Sequence, residues 1–142
     1  MYFCIVFYMI LKSKAIVLRS LKFGDSSLII DMFTELEGRI SFITRIPKTA
    51  KGKIKKQYFQ PLTLLDLEFD YRPRTSLQRI KEVRILRPYG SIPFDPVKSA
   101  ILLFLSEFLY YVTRGEQQNA HLYNYICASM EWLDEAEHDY AN

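Results

Sequence analysis

GRISFITRIPKTAKGKIKKQYFQ, residues 38–60 of the 142, is the stretch from which the fold can be read. It opens as a strand, with Ile40, Phe42 and Thr44 alternating against Ser41, Ile43 and Arg45. Pro47 breaks it. A loop follows that carries Arg45, Lys48, Lys51, Lys53, Lys55 and Lys56 around Gly52, with Tyr58 and Phe59 at its exit. No acidic residue lies between Glu37 and Asp66. A cationic loop between two strands builds no core. It projects positive charge from a β scaffold, and the common polyanion that rewards this is nucleic acid. The competing reading is a solvated lysine loop with no ligand.

Outward from that stretch the pattern stays β. Residues 15–23 (AIVLRSLKF) read as a first strand, with Ala15, Val17, Leu21 and Phe23 on one face, interrupted by Arg19. Gly24-Asp25-Ser26 is a turn. Residues 27–34 form a second strand with Leu28, Ile30 and Met32 in phase, and Gly38 supplies the positive φ that closes the hairpin into a third strand over 39–46. After the basic loop, residues 62–70 (LTLLDLEFD) read as a fourth strand. Leu62 and Leu64 are in one phase, Leu65, Leu67 and Phe69 in the other, which predicts a β-bulge near Leu64. Residues 71–75 (YRPRT) turn into a fifth strand over 76–86, and Pro88, Gly90 and Pro93 punctuate a linker. Two helices follow. Asp95-Pro96 caps one over 97–114 that ends at Gly115 and is apolar almost all round. Asn119 caps a second to about residue 137, with Leu122, Ile126, Met130 and Leu133 as its stripe. Strands followed by helices give an α+β chain: a five-stranded OB-type β-barrel, then α-helices of a truncated helical domain expected to continue beyond Asn142.

Composition narrows the class. The chain is 49% hydrophobic and 25% charged, hence globular. The net charge of +3 hides a division: +9 over residues 1–90 and −6 over 91–142. A cationic module is joined to an acidic neighbour. Cys4 and Cys127 lack any CxxC partner, which excludes a disulfide framework and a four-cysteine zinc site and fits a reducing cytoplasm. The apolar start MYFCIVFYMIL is too short to span a membrane and lacks a signal peptide's flanks. Residues 1–8 read as an upstream extension before a true start at Met9, against the alternative of a first strand reaching back to Phe3.

LKSKAIVLRSLKFGDSSLIIDMFTELEGRISFITR resembles the opening of the RecO family of bacterial recombination and repair mediators. The parts are a Met-Leu-x-Lys-x-x-Ala-Ile-Val-Leu-type strand at 9–18, a Gly-Asp-Ser-Ser turn at 24–27 and a Phe-Thr-x-x-x-Gly hairpin at 33–38. The basic loop, the Gln60-Pro61 entry, the LDLEF strand and NYICASMEWLDE extend it over residues 9–142. Residues 1–8 have no counterpart, and the four-cysteine zinc module of some members is absent. The resemblance implies an OB-fold nucleic-acid-binding domain over 9–88 and the start of a helical domain over 89–142. It implies binding of single- and double-stranded DNA, strand annealing, and RecA loading with RecR onto DNA coated by single-strand-binding protein. It implies no cofactor and no chemistry of the protein's own.

The candidate DNA-binding residues are Arg19, Arg39, Arg45, Lys48, Lys51, Lys53, Lys55, Lys56, Arg72, Arg74 and Arg79, with Tyr58 and Tyr71 as stacking candidates; Phe42 and Phe59 are expected in the core. Asp66, Glu68 and Asp70 alternate along the fourth strand and so share a face. Three such carboxylates can hold a divalent metal, which would make the chain a nuclease. The plainer expectation is a solvated face paired across the hairpin with Arg79 and Lys81. A barrel that binds only protein is the other alternative.

Overall fold

The computed structural model describes residues 9–47 and 54–137. The expectation for residues 1–8 lies outside them. Five strands, β1 (Met9–Phe23), β2 (Ser27–Thr34), β3 (Gly38–Arg45), β4 (Leu64–Tyr71) and β5 (Gln78–Ile85), precede α1 (Pro96–Val112) and α2 (Ala120–Glu135). β1–β2–β3 is an antiparallel meander, β4 pairs with both β1 and β5, and β3 meets β5 in parallel through Phe42–Gln78 and Ile43–Arg79. The sheet thereby closes in the order β1-β2-β3-β5-β4. That is the five-stranded OB-type arrangement, followed by helices, that the α+β reading expects.

Two apolar clusters are built on the two faces of the sheet. Ala15, Val17, Leu28, Ile30, Met32, Phe42, Phe59, Leu65, Leu67 and Phe69 fill the barrel. Ile16, Leu18, Phe33, Leu62 and Leu64 point outward and meet the helices. Residues 15–18 of β1 are therefore buried on both sides. The same holds at the start of β4, where Leu64 faces the helices and Leu65 the interior. That explains the phase jump; Leu64 itself pairs with Ile16 in regular register, and the irregularity expected near it lies just before, where Leu62, at φ +58°, and Thr63 both oppose Val17. Two further irregularities sit at Leu18, between Val17 and Arg19 of β1, and at Lys81, opposite the Glu68/Phe69 step of β4.

The Leu18 bulge overturns one expectation. An extra residue shifts the side-chain parity of a strand. Beyond it, Arg19, Leu21 and Phe23 pair with Asp31, Ile29 and Ser27 on the outer face, while Ser20 faces Ile30. Leu21 and Phe23 thus do not join Ala15 and Val17 inside. They are 48% and 56% exposed.

The helices are capped as their sequences predict. The Asp95 carboxylate accepts from the Val97 and Lys98 amides, and the Asn119 side-chain oxygen from Leu122. Leu102, Tyr110, Tyr123, Ile126, Met130 and Leu133 bury against the outward patch of β1, β2 and β4. Polar contacts fix the docking at two ends. At one, Asp134 accepts from the amides of Gly90, Ser91 and Ile92, and Lys98 Nζ donates to Ser91 Oγ and to the Asp134 and Ala136 carbonyls. Burial alone would raise the Asp134 pKa; these amides and the Ser91 hydroxyl outweigh it and hold the carboxyl below its ordinary value. At the other end, the Arg39 amide donates to the Glu116 carbonyl. Gly38, at φ +73°, approaches so closely that a Cβ there would lie 2.5 Å from the Glu116 oxygen and the Gln117 carbonyl carbon. Among the described residues nothing covers the opposite side of α1, where Phe104, Phe108, Tyr111 and Val112 are exposed.

Candidate nucleic-acid interface

Away from the helices, the outer surface of the barrel divides into two faces. The front is made by the second half of β1 with β2 and β3. Cross-strand pairing sets out three rungs: Arg19–Asp31–Ser41, Leu21–Ile29–Ile43, and Phe23–Ser27–Arg45. The middle rung continues to Arg79 of β5. Three apolar side chains and a phenylalanine ring thus face outward between arginines. Asp31 is the carboxylate of these rungs. It accepts from Ser41 Oγ, and its other oxygen lies 3.7 Å from Arg19 Nε. The Gly24–Ser26 turn adjoins the lower rung, since the Ile46 amide donates to the Ser26 carbonyl. The basic loop therefore leaves β3 beside Phe23 and Arg45. A flat apolar surface rimmed by guanidinium groups offers stacking to bases and charge to phosphates.

The back face is made by the first half of β1 with β4 and β5. Its rungs are Lys14–Asp66–Arg84, Lys12–Glu68–Glu82 and Ile10–Asp70–Arg79. Asp66 accepts from Arg84 Nε and Nη2, an ion pair at 3.1 Å. Of the expected cross-strand partners, Arg79 lies opposite Asp70, whereas the bulge at Lys81 puts Glu82 rather than Lys81 opposite Glu68 and brings Arg84 opposite Asp66. Among the described residues no group of three His, Cys, Asp or Glu side chains is arranged to hold a metal ion. Asp66, Glu68 and Asp70 are rungs of a charge ladder, and nothing in their placement favours a nuclease.

The predicted basic residues scatter over these surfaces. Arg45, Lys55, Lys56, Arg72, Arg74 and Arg79 are exposed. Lys48, Lys51 and Lys53 lie outside the described residues. Arg72 and Arg74 belong to the β4–β5 turn, which buried Gln78 holds by accepting from the Arg72 amide and donating to the Arg72 and Thr75 carbonyls. Arg39 is engaged with α1: its Nη1 donates to the Tyr110 carbonyl and to Thr113 Oγ1. Tyr58 and Tyr71 are half-buried against the barrel cluster. Tyr71 lies edge-on to Phe69, and burial first, then Glu37, raises its pKa. Phe42 and Phe59 are core, as expected.

Sequence reasoning missed Leu21, Phe23, Ile29 and Ile43 as a surface. One signal for it stands in the sequence. Four consecutive apolar residues, Ala15 to Leu18, followed at once by Arg19, are incompatible with one-sided alternation and mark a strand with two buried faces and a parity change.

The fold and this face define a class: an OB-type barrel with a docked helical layer and an apolar outer face flanked by arginines. Two family models then cover the chain, "Recombination protein O N terminal" over residues 9–89 and "Recombination protein O C terminal" over 93–142. The chain belongs to the RecO family. It is 49% identical over 134 residues to the DNA repair protein RecO of Bacteroides fragilis, covering 94% of this chain and 55% of the relative. The RecO proteins of Phocaeicola vulgatus and Flavobacterium psychrophilum are 42% and 37% identical, over 94% and 87% of this chain and 56% and 52% of theirs. The chain thus spans about half the length of the curated relatives it matches. No helix among the described residues is long and apolar enough to cross a membrane.

Proposed function

We propose that this chain acts in DNA recombination and repair by binding single- and double-stranded DNA on the front face of its barrel. In this reading residues 9–88 are the nucleic-acid-binding domain and residues 89–142 the start of the helical domain. The protein promotes strand annealing in the cytoplasm and, with RecR, helps load RecA onto strands coated by single-strand-binding protein. Its contribution is binding and positioning, without bond chemistry. Family membership supports the repair role. The observation that carries the DNA-binding part is the outward apolar rung Leu21–Ile29–Ile43, next to Phe23 and flanked by Arg45 and Arg79, at the root of the basic loop. A protein-only adaptor would not need that loop's charge.

The test is a salt series of fluorescent oligonucleotide binding. Affinity falls as salt rises, and each lost phosphate contact flattens the log–log slope by about 0.7 on single strands and about 0.9 on duplex. Reversing Lys53, Lys55 and Lys56 to Glu weakens both DNA forms. Slopes and affinities that coincide with wild type would reduce these lysines to a solvated loop.

A further inference from the structure

Where α1 meets the barrel, three guanidinium groups gather on one ring. The Cζ atoms of Arg19, Arg39 and Arg114 lie 4.1, 4.5 and 5.5 Å from the centroid of Tyr110, and Arg114 is also 5.2 Å from that of Tyr111. A ring face attracts each cation but cancels none of their charge. Asp31, already hydrogen-bonded to Ser41, sits 3.7 Å from Arg19. Arg39 spends Nη1 on a carbonyl and a hydroxyl, and its Nε is buried without a partner. Among the described residues neither Arg39 nor Arg114 has a carboxylate within ion-pair distance. The carbonyl end of α1 contributes roughly half a negative charge here. One carboxylate and a helix end thus face three guanidinium groups.

On the Arg19 side of the cluster is a cavity of about 340 Å³, lined by Arg19, Ser20, Ser106, Glu107 and Tyr110 but not by Arg39 or Arg114. Glu107 lines it without an ion pair to any of the three arginines. The Arg19 rung is also the next rung above Leu21–Ile29–Ile43, about 7 Å along the strand. A strand lying on the front face reaches the cluster without leaving the protein surface.

We infer that Arg19, Arg39 and Arg114 form a phosphate site, built from the barrel on one side and from the end of α1 on the other, which takes a backbone phosphodiester of the bound strand. The inference rests on the DNA-binding reading and deepens it. Planar guanidinium groups held by a ring are suited to the tetrahedral oxygens of a phosphate. Because the donors come from both layers, an occupied site ties the helical layer to the barrel. The phosphate competes with Asp31 for Arg19.

The experiment uses the full 142-residue chain, a fluorescent single-stranded oligonucleotide and a salt series, with the arginine Nε–H resonances followed in parallel. Exposed Arg114 is the variant site, so folding is preserved. Arg114→Gln is expected to weaken binding roughly three- to fivefold and to flatten the slope by about 0.7. Arg114→Lys restores the slope, and the oligonucleotide shifts the Arg39 and Arg114 signals. Wild-type affinity and slope in Arg114→Gln, with a flattened slope in Lys55→Gln/Lys56→Gln, overturns the site and leaves DNA binding standing. Signals that move with inorganic phosphate but not with the oligonucleotide overturn the phosphodiester assignment in favour of a free anion. A wild-type chain that binds no oligonucleotide removes the DNA-binding reading and this inference together.

Discussion

The front and back faces of the barrel share strand β1 yet carry opposite chemistry. On the back, Lys12 and Lys14 lie opposite Glu68 and Asp66, Arg84 pairs with Asp66 and Arg79 lies opposite Asp70, so cations and carboxylates alternate across the strands except at Glu68–Glu82. On the front, Leu21 and Phe23 are exposed beside half-buried Ile29 and Ile43, Arg45 has no carboxylate in its rung, and Arg79 stands at the margin, opposite Asp70 of the back face. The composition of β1 does not separate the faces, because both halves alternate apolar and basic residues. One inserted residue, Leu18, does, by turning over every side chain beyond it. A surface that satisfies its own charges is inert. A surface that leaves apolar area and cations open is prepared for a ligand.

The largest expected effect comes from deleting Leu18. Arg19 then follows Val17 directly and still pairs with Asp31, so the bulge closes with the faces kept, and the loss is that of a leucine buried under the helices, about 2–5 kcal/mol. A urea melt close to wild type would mean that Leu18 contributes little to the wall between barrel and helices. Gly38→Ala comes next, at about 2–4 kcal/mol, because a Cβ would meet the α1–α2 connection while the backbone is left-handed. The same melt measures it, and an unchanged midpoint would mean the hairpin and helices separate freely.

Smaller effects sharpen the comparison. Phe23→Ala is expected to weaken single-strand binding roughly tenfold, as loss of one stacked base, with stability kept to within about 0.5 kcal/mol. Duplex, whose bases are already stacked, loses less. Polarisation titrations with both DNA forms decide this, and equal losses would remove stacking as the mechanism. On the back, Arg84→Ala costs less than about 1 kcal/mol and leaves DNA affinity unchanged; reduced affinity would extend the interface around the barrel. Glu82→Lys, opposite Glu68, raises stability by roughly 0.2–1 kcal/mol in a thermal melt; an unchanged midpoint would mean that Lys12, on the other side of Glu68, already neutralises the pair.

The strand order, the hairpin at Gly38, both helix caps and the family were legible because each rests on local chemistry: alternation, turn residues, and an Asp or Asn before a helical run. The front face was not, because parity depends on where a bulge falls, and Leu18 looks like any other strand leucine. Charge alone marks Arg39 as a candidate DNA contact; that it also holds the Tyr110 carbonyl depends on a helix 71 residues away. The pairing of Asp66 with a base was foreseeable from charge, but the identity of Arg84 required the Lys81 bulge. Tyr58 and Tyr71 stood beside polar turns in sequence, while the closed barrel supplies the apolar wall that half-covers them.

Residues 15–18 of β1 stand with the barrel interior on one side and the helices on the other, and Val17 exchanges backbone hydrogen bonds with Leu62 and Thr63 as well. Neither cluster can open without stripping this wall. The two layers then lose their order at one denaturant concentration, and the amide protons of Ile16 and Val17 exchange with solvent only through global unfolding.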